Sequence, residues 1–279
     1  MRREDAPATV AALCVAAPVI AGAAYSVLAS VGVVGAGAAG ITWMSVVRVL
    51  GDGQTWRGVA WTVTTAGAAT ALAATVAVAI AVHARDSRIA RLLAVLPMSV
   101  PHVAAALAAL LMFGQSGVLS RLAFAAGLIA QPSDFPALVY DRFGFSLIAA
   151  YAWKEIPYLT LTAVAIATTR SDGLEMVARS LGATPGQAFR RVTLPLLRRG
   201  LAPAVLAAFA FLIGQYEMPA LLAPSDPSPL PLLTYERAVH PDLTRRAEAH
   251  VLGLLALAIA AIVVIAHGRL QAASEPEAE

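Results

Sequence analysis

Six apolar runs, at residues 8–34, 57–83, 91–114, 144–169, 201–224 and 248–268, dominate the pattern of this 279-residue chain. As helices rising about 1.5 Å per residue, each is long enough to cross the roughly 30 Å hydrocarbon layer of a bilayer. The pattern predicts an all-α polytopic membrane protein: six transmembrane helices in a single domain over 1–279, with a helical loop between the fourth and fifth. The first run is about twice the length of a signal-peptide core and reads as a retained anchor. After it, ITWMSVVRVL at 41–50 has the spacing and the tryptophan of a short helix at the outer interface, ended by Gly51-Asp52-Gly53. The second run carries Gly67, Ala71, Thr75 and Ala79 at intervals of four. That is either a small-residue face for close helix packing or a by-product of alanine-rich sequence. The third opens LPMSVPH, with Pro97 and Pro101 one turn apart, predicting a kink and freed backbone carbonyls. The segments 131–136 and 225–231 read as short external loops, the second stiffened by prolines, and the acidic tail from Ala272 reads as disordered.

Residues 172–197, DGLEMVARSLGATPGQAFRRVTLPLL, form a polar and basic interruption between the fourth and fifth runs. They read as helix, break, helix. Asp172 with Glu175 three residues on has the form of an N-cap with its capping-box partner, and Thr184, Pro185 and Gln187 repeat that logic. Gly182 supplies the permissive backbone on which the first helix ends. Leu194-Pro195 is expected to close the second, because proline disfavours helix for its predecessor.

This stretch resembles the "EAA" cytoplasmic loop of the permease subunits of bacterial ATP-binding-cassette (ABC) importers. The family pattern is a glutamate, a small pair, a glycine and an aliphatic-x-Leu-Pro close. Here these are Glu175, Val177-Ala178, Gly182, Val192 and Leu194-Pro195, around a Leu181-Gly182-Ala183 centre. Met176 departs from the usual alanine. The resemblance makes Asp172, Glu175, Ala178, Leu181, Gly182, Ala183, Leu194 and Pro195 the expected ATPase-coupling residues.

Composition agrees with a bilayer. The chain is 59% hydrophobic and 13% charged, with mean hydropathy +0.73, whereas soluble domains are about half apolar and a quarter charged. Twelve arginines fall on the side of the termini and of 172–197, and seven on the other. The positive-inside rule therefore puts both termini and that loop in the cytoplasm of a bacterial inner-membrane protein. This arrangement explains the net charge of +3 better than nucleic-acid binding does. The single cysteine, Cys14, excludes a disulfide framework. Five scattered histidines lack metal-ligand spacing, and no metal or cofactor is expected. GAGAAG at 35–40 matches a dinucleotide fingerprint but has no strand–turn–helix setting, and no P-loop is present, so ATP hydrolysis is expected on another chain.

The residues that stand out chemically lie inside the apolar runs. Lys154, the only lysine, sits beside Glu155 in WKEIPY, with Tyr158 one turn on, and Gln215, Tyr216 and Glu217 form a second polar group. Charge at such depth normally faces a bundle interior or a water-filled path. These six are the candidate translocation residues. The alternative is a Lys154–glutamate pair that fixes helix register or a contact between permeases. The resemblance implies a second permease subunit (a copy or a different chain), a cytoplasmic ATPase dimer and an external solute-binding protein. Its finer motifs resemble permeases for polyamines, thiamine, ferric iron and phosphonates; an oxyanion such as molybdate or sulfate is the alternative solute. From another class, a non-transporting structural membrane subunit is the alternative function.

Overall fold

The computed structural model describes residues 6–38, 40–84 and 87–274. Among these, every regular element is a helix. Two compact units emerge, one made of the residues up to Val59 with those from Leu230 onward, the other of Ala60–Pro229.

In the first unit, α1 (Ala6–Ser30) is followed by a loop in which Gly32, Gly35, Gly37 and Gly40 all take positive φ. The glycines of the fingerprint-like segment thus turn the chain. At Gly37 a Cβ would also come within 2.8 Å of the Leu243 backbone. The short α2 (Met44–Gly51) buries Ser45 and Val49, and α3 (Gly53–His83) begins directly after it. The short helix expected at 41–50 is present, starting three residues late and ending one late. Later in the chain, α12 (Leu230–Ala238) and α13 (Arg246–Ser274) complete this unit. Val49, Leu230, Leu233, Val251 and Leu252 form its apolar core. The tail expected to be disordered from Ala272 is helical to Ser274, and its remainder lies outside the described residues.

The second unit holds the rest of α3, then α4 (Arg88–Val95), α5 (His102–Phe113), α6 (Val118–Ala125), α7 (Phe145–Ile166), α8 (Asp172–Ser180), α9 (Pro185–Ala188), α10 (Leu194–Gly214) and α11 (Glu217–Leu222). α7 is central, packed against α5, α10 and α11. It starts where the Asp141 carboxylate accepts the backbone N–H groups of Phe143 and Phe145 at 2.9 and 2.8 Å. Its apolar face meets Ala73, Ala77 and Ala81 of α3 and Leu197 and Leu201 of α10. The small-residue face of α3 therefore exists, but two positions later than expected. Ala69, Ala73, Ala77 and Ala81 are buried, whereas Ala71, Thr75 and Ala79 are exposed. Periodicity gives the spacing of such a stripe, and its phase comes from the neighbour it meets.

Five helical stretches among the described residues are long and apolar enough to cross a membrane: Leu13–Ser30, Gly53–His83, His102–Ala125, Pro185–Gly214 and Leu243–Arg269. α7, with 22 residues, is long enough as well, about 33 Å. Lys154 and Glu155 at its middle dilute its apolarity. Three expected boundaries move, each for a backbone reason. The Pro97/Pro101 pair does more than kink a helix: a 3₁₀ turn (Leu96–Ser99) and an extended Val100 separate α4 from α5, so the third span starts at His102. Leu194-Pro195 does not close a helix, because the π-helical turn Phe189–Thr193 runs straight into α10, with the Leu194 N–H bonded to the Phe189 carbonyl. The fifth span instead stops at Gly214, where Gln215 is extended.

Because Ala77 is fully enclosed and Ala79 exposed, Ala77→Leu should destabilise the purified protein by about 1–3 kcal/mol, while Ala79→Leu should leave thermal unfolding in detergent unchanged. Equal loss at both positions would contradict this packing.

Candidate translocation cavity and coupling face

Prolines create the central feature of the second unit. Pro101 has no N–H to give the Pro97 carbonyl, which lies one helical turn back, and the extended Val100 turns its own carbonyl out of any helix. The Pro97 oxygen accepts the Val100 N–H in the 3₁₀ turn at 3.2 Å. It also accepts from Lys154 Nζ at 2.8 Å, and the same ammonium donates to the Val100 oxygen at 2.6 Å. Lys154 is only 9% exposed. Its charge is met by two carbonyl dipoles, whose residues lie 54 and 57 positions away in sequence, and the neighbouring Glu155 carboxylate acts on it as well.

A cavity of about 370 Å³ opens at this point. Lys154, Glu155 and Tyr158 line it together with Met98, His102, Ala207, Ala208 and Phe211. Three of the six expected translocation residues therefore converge. Gln215, Tyr216 and Glu217 are not among its lining residues; the first two occupy the break between α10 and α11, and Glu217, exposed, is the first residue of α11. The residues missed from sequence are Met98, His102 and Phe211. The imidazole of His102 stands 5.5 Å from the Phe211 ring, centroid to centroid. The signal for His102 was available: a polar side chain directly after Pro101, at the first position of a helix that the proline break creates.

The second feature is the hairpin of α8 and α9, flanked by the π-helical turns Ala167–Ser171 and Phe189–Thr193. The end of α8 is a Schellman motif, with the Ala183 N–H bonded to the Ala178 carbonyl and the Gly182 N–H to the Arg179 carbonyl, each at 3.0 Å. It requires Gly182 at φ +90°. α9 begins with the expected capping box: Gln187 N–H donates to Thr184 Oγ1 and Thr184 N–H to Gln187 Oε1, with Pro185 in the first turn. Glu175 serves differently. Its carboxylate accepts from the Thr193 hydroxyl at 2.9 Å and pairs with Arg179 at 3.2 Å, clasping α8 to the entry of α10. The Asp172 side chain lies outside the described residues, and its capping role with it.

With the carboxylate turned inward, α8 leaves Leu174, Val177 and Leu181 exposed, Leu181 at 82%. With Ala178 they line a groove of 410 Å³ shared with Arg191, Val192, Pro195 and Leu196. Residues 174, 177, 178 and 181 share one helical face. Of the expected coupling residues, Ala178, Leu181 and Pro195 lie on this groove, while Glu175, Gly182 and Ala183 hold it in shape and Leu194 opens α10 behind it.

Residues 71–276 match the family described as the binding-protein-dependent transport system inner membrane component. The chain belongs to that family. It is a multi-pass permease subunit of an ABC importer. The molybdenum transport system permease protein ModB of Mycobacterium tuberculosis is 32% identical over 215 residues, which is 74% of this chain and 76% of that protein. A probable molybdenum ABC transporter permease protein of Haloferax volcanii is 34% identical over 110 residues, 38% of each chain. The crystal structure of a bacterial ABC transporter that imports the acidic polysaccharide alginate superposes with a TM-score of 0.71, over 97% of this chain and 94% of its own, at 18% identity, and shows the shared fold. These relatives do not support the expected polyamine, thiamine or ferric iron class; two carry molybdenum in their names, the class of the alternative.

No atom lies within 4 Å of a Cβ placed at Gly182, so its substitution is penalised by backbone conformation alone. Gly182→Val should cost about 1–2 kcal/mol, whereas Gly182→Asn should unfold close to the parent, since asparagine tolerates this region. Thermal melts of both variants check it, and a Val variant as stable as the parent would refute the Schellman assignment.

Proposed function

We propose that this permease imports a tetrahedral oxyanion such as molybdate, with Lys154 as the cationic element of its path. The reading is carried by the relationship to the molybdenum permeases over three quarters of the chain. The cavity chemistry supports it. An ammonium has three N–H donors, and the Pro97 and Val100 carbonyls engage two of them. The third remains for an anion passing the cavity wall, beside the Tyr158 hydroxyl and the His102 ring. Glu155 keeps that wall near neutrality, which suits brief occupancy in transit better than retention. Glu217, the carboxylate that would favour a cation, does not line the cavity.

In this reading the exposed α8 face docks on a cytoplasmic ATPase, which hydrolyses ATP on its own chain. The arginine distribution supports a cytoplasmic hairpin and cytoplasmic termini. A second permease subunit completes the path, and an external binding protein delivers the solute; the family's description, which names dependence on a binding protein, supports the latter. Closure of the ATPases would push on α8 and, through the two π-helical turns, on α7 and α10, whose faces bound the cavity.

Uptake by cells expressing the full transport system tests both halves. Cells with the parent permease should accumulate radioactive molybdate and ignore spermidine. Leu181→Asp, which places a charge on the apolar face, should abolish uptake and loosen the ATPase from the purified complex while the permease still inserts. Spermidine uptake would overturn the solute assignment, and a fully active Leu181→Asp variant would overturn the docking face.

A further inference from the structure

The first unit contains a charged pocket that the transport reading does not use. Its volume is about 400 Å³, and α2, the start of α3, α12 and the start of α13 wall it in. Glu248 stands at its base, 2% exposed, with three guanidinium groups around it. Arg48 Nη1 and Arg245 Nε lie 3.5 and 3.6 Å from Glu248 Oε1, and Arg237 Nε lies 3.3 Å from Oε2. Arg237 also reaches Asp52 at 3.7 Å. All four separations exceed the usual charge-assisted hydrogen bond of about 2.7–2.9 Å. Glu248 Oε1 has no hydrogen-bond partner. The carboxylate thus gathers the arginines without saturating them, since each guanidinium carries five N–H donors in a fork that matches oxygen anions. Three positive charges against the two carboxylates leave a formal charge of +1 on the lining.

Position decides which anion fits. The pocket lies where α3 and α13, two helices apolar and long enough to span the bilayer, begin. That is the depth of lipid headgroups. Next to it α2 turns Met44, Val47 and Leu50 outward, with Trp43 just before them, all exposed. Trp56, also exposed, fixes its indole by donating to the Leu50 carbonyl at 2.9 Å. A short helix with an outward apolar face and two tryptophans is the form of an interfacial element with acyl chains beneath it. A free oxyanion has no use for that flank.

We propose that this pocket holds the phosphate of an anionic phospholipid headgroup, with Arg48 and Arg245 as its direct donors and Arg237 positioned by Asp52 and Glu248. The lipid would join α2, α12 and α13 at their membrane-facing ends, adding a lipid dependence to a unit otherwise held by the small core around Val49, Leu233 and Leu252.

Native mass spectrometry of the full-length permease, purified from nanodiscs of phosphatidylglycerol or of phosphatidylcholine, tests this. The parent should retain phosphatidylglycerol and not phosphatidylcholine. Arg48→Gln with Arg245→Gln, both at the more exposed guanidiniums, should lower that retention about tenfold. Millimolar molybdate or inorganic phosphate should leave the lipid bound. Equal retention of the two lipids by the parent overturns the proposal without recourse to any variant. So does undiminished retention by the double variant, and displacement by the free anions would assign the pocket to a solute instead. Should the double variant fail to fold, Arg48→Gln alone, at the outermost guanidinium, gives the same comparison.

Discussion

A single ammonium in the middle of an apolar helix is the constraint to which the second unit is built. Charge at that depth is costly unless opposed, and Lys154 is opposed by backbone carbonyls as well as by the neighbouring Glu155. Pro101 denies the Pro97 carbonyl its α-helical partner, the extended Val100 turns its own carbonyl out of the helix, and the lysine donates to both. The consequences spread outward. α5 cannot begin before His102, which places the imidazole on the cavity wall. α7 is held against the break by hydrogen bonds that span more than fifty residues of sequence, so the contact acts as a tertiary staple. The contact serves the backbone too: the Pro97 oxygen keeps the Val100 N–H in any case, but the Val100 carbonyl has no helix to pair in, and an acceptor left without a partner away from water costs about 1–3 kcal/mol.

At the other end of α7 the problem is one of transmission. In the proposed coupling role the hairpin would have to pass force on without absorbing it, and this one is closed at each joint. A Schellman motif ends α8, a reciprocal capping box starts α9, and Glu175 ties α8 to Thr193 at the root of α10. At its base lie two π-helical turns. Such turns widen the helix locally and commonly mark functional sites. The second of them also lets a helix run through Pro195, since the Leu194 N–H has already reached back five residues to Phe189. The capped hairpin presents Leu174, Val177 and Leu181 outward, and the π-helical turns connect it to α7 and α10, which bound the cavity.

What sequence made legible was local chemistry. The capping box at Thr184, the glycine reversal at 182, the short helix after the first span and the unusual lysine could all be read directly, because each depends on residues within a few positions. Long-range choices were hidden. The α3 stripe had the right period and the wrong phase, since its neighbours on α7 and α10 select which alanines are buried. Glu175 looked like a capping residue, and only the fold brings Thr193 to it. The carbonyls freed by Pro97 and Pro101 were foreseeable, but their recipient on another helix was not. The cluster around Glu248 was missed because Arg48, Arg237 and Arg245 scatter over some two hundred positions and look like ordinary loop charges.

The central claim is that the proline break and the buried lysine stabilise each other, and a double-mutant cycle addresses it most directly. Pro101→Ala restores an N–H that competes for the Pro97 carbonyl, and Lys154→Met removes the ammonium while keeping much of the side-chain volume. Unfolding free energies of the parent, both single variants and the double variant, measured in one detergent, give the coupling between the two positions. The account predicts that each single change destabilises and that the double change costs clearly less than their sum. Additivity within about 0.5 kcal/mol would contradict it.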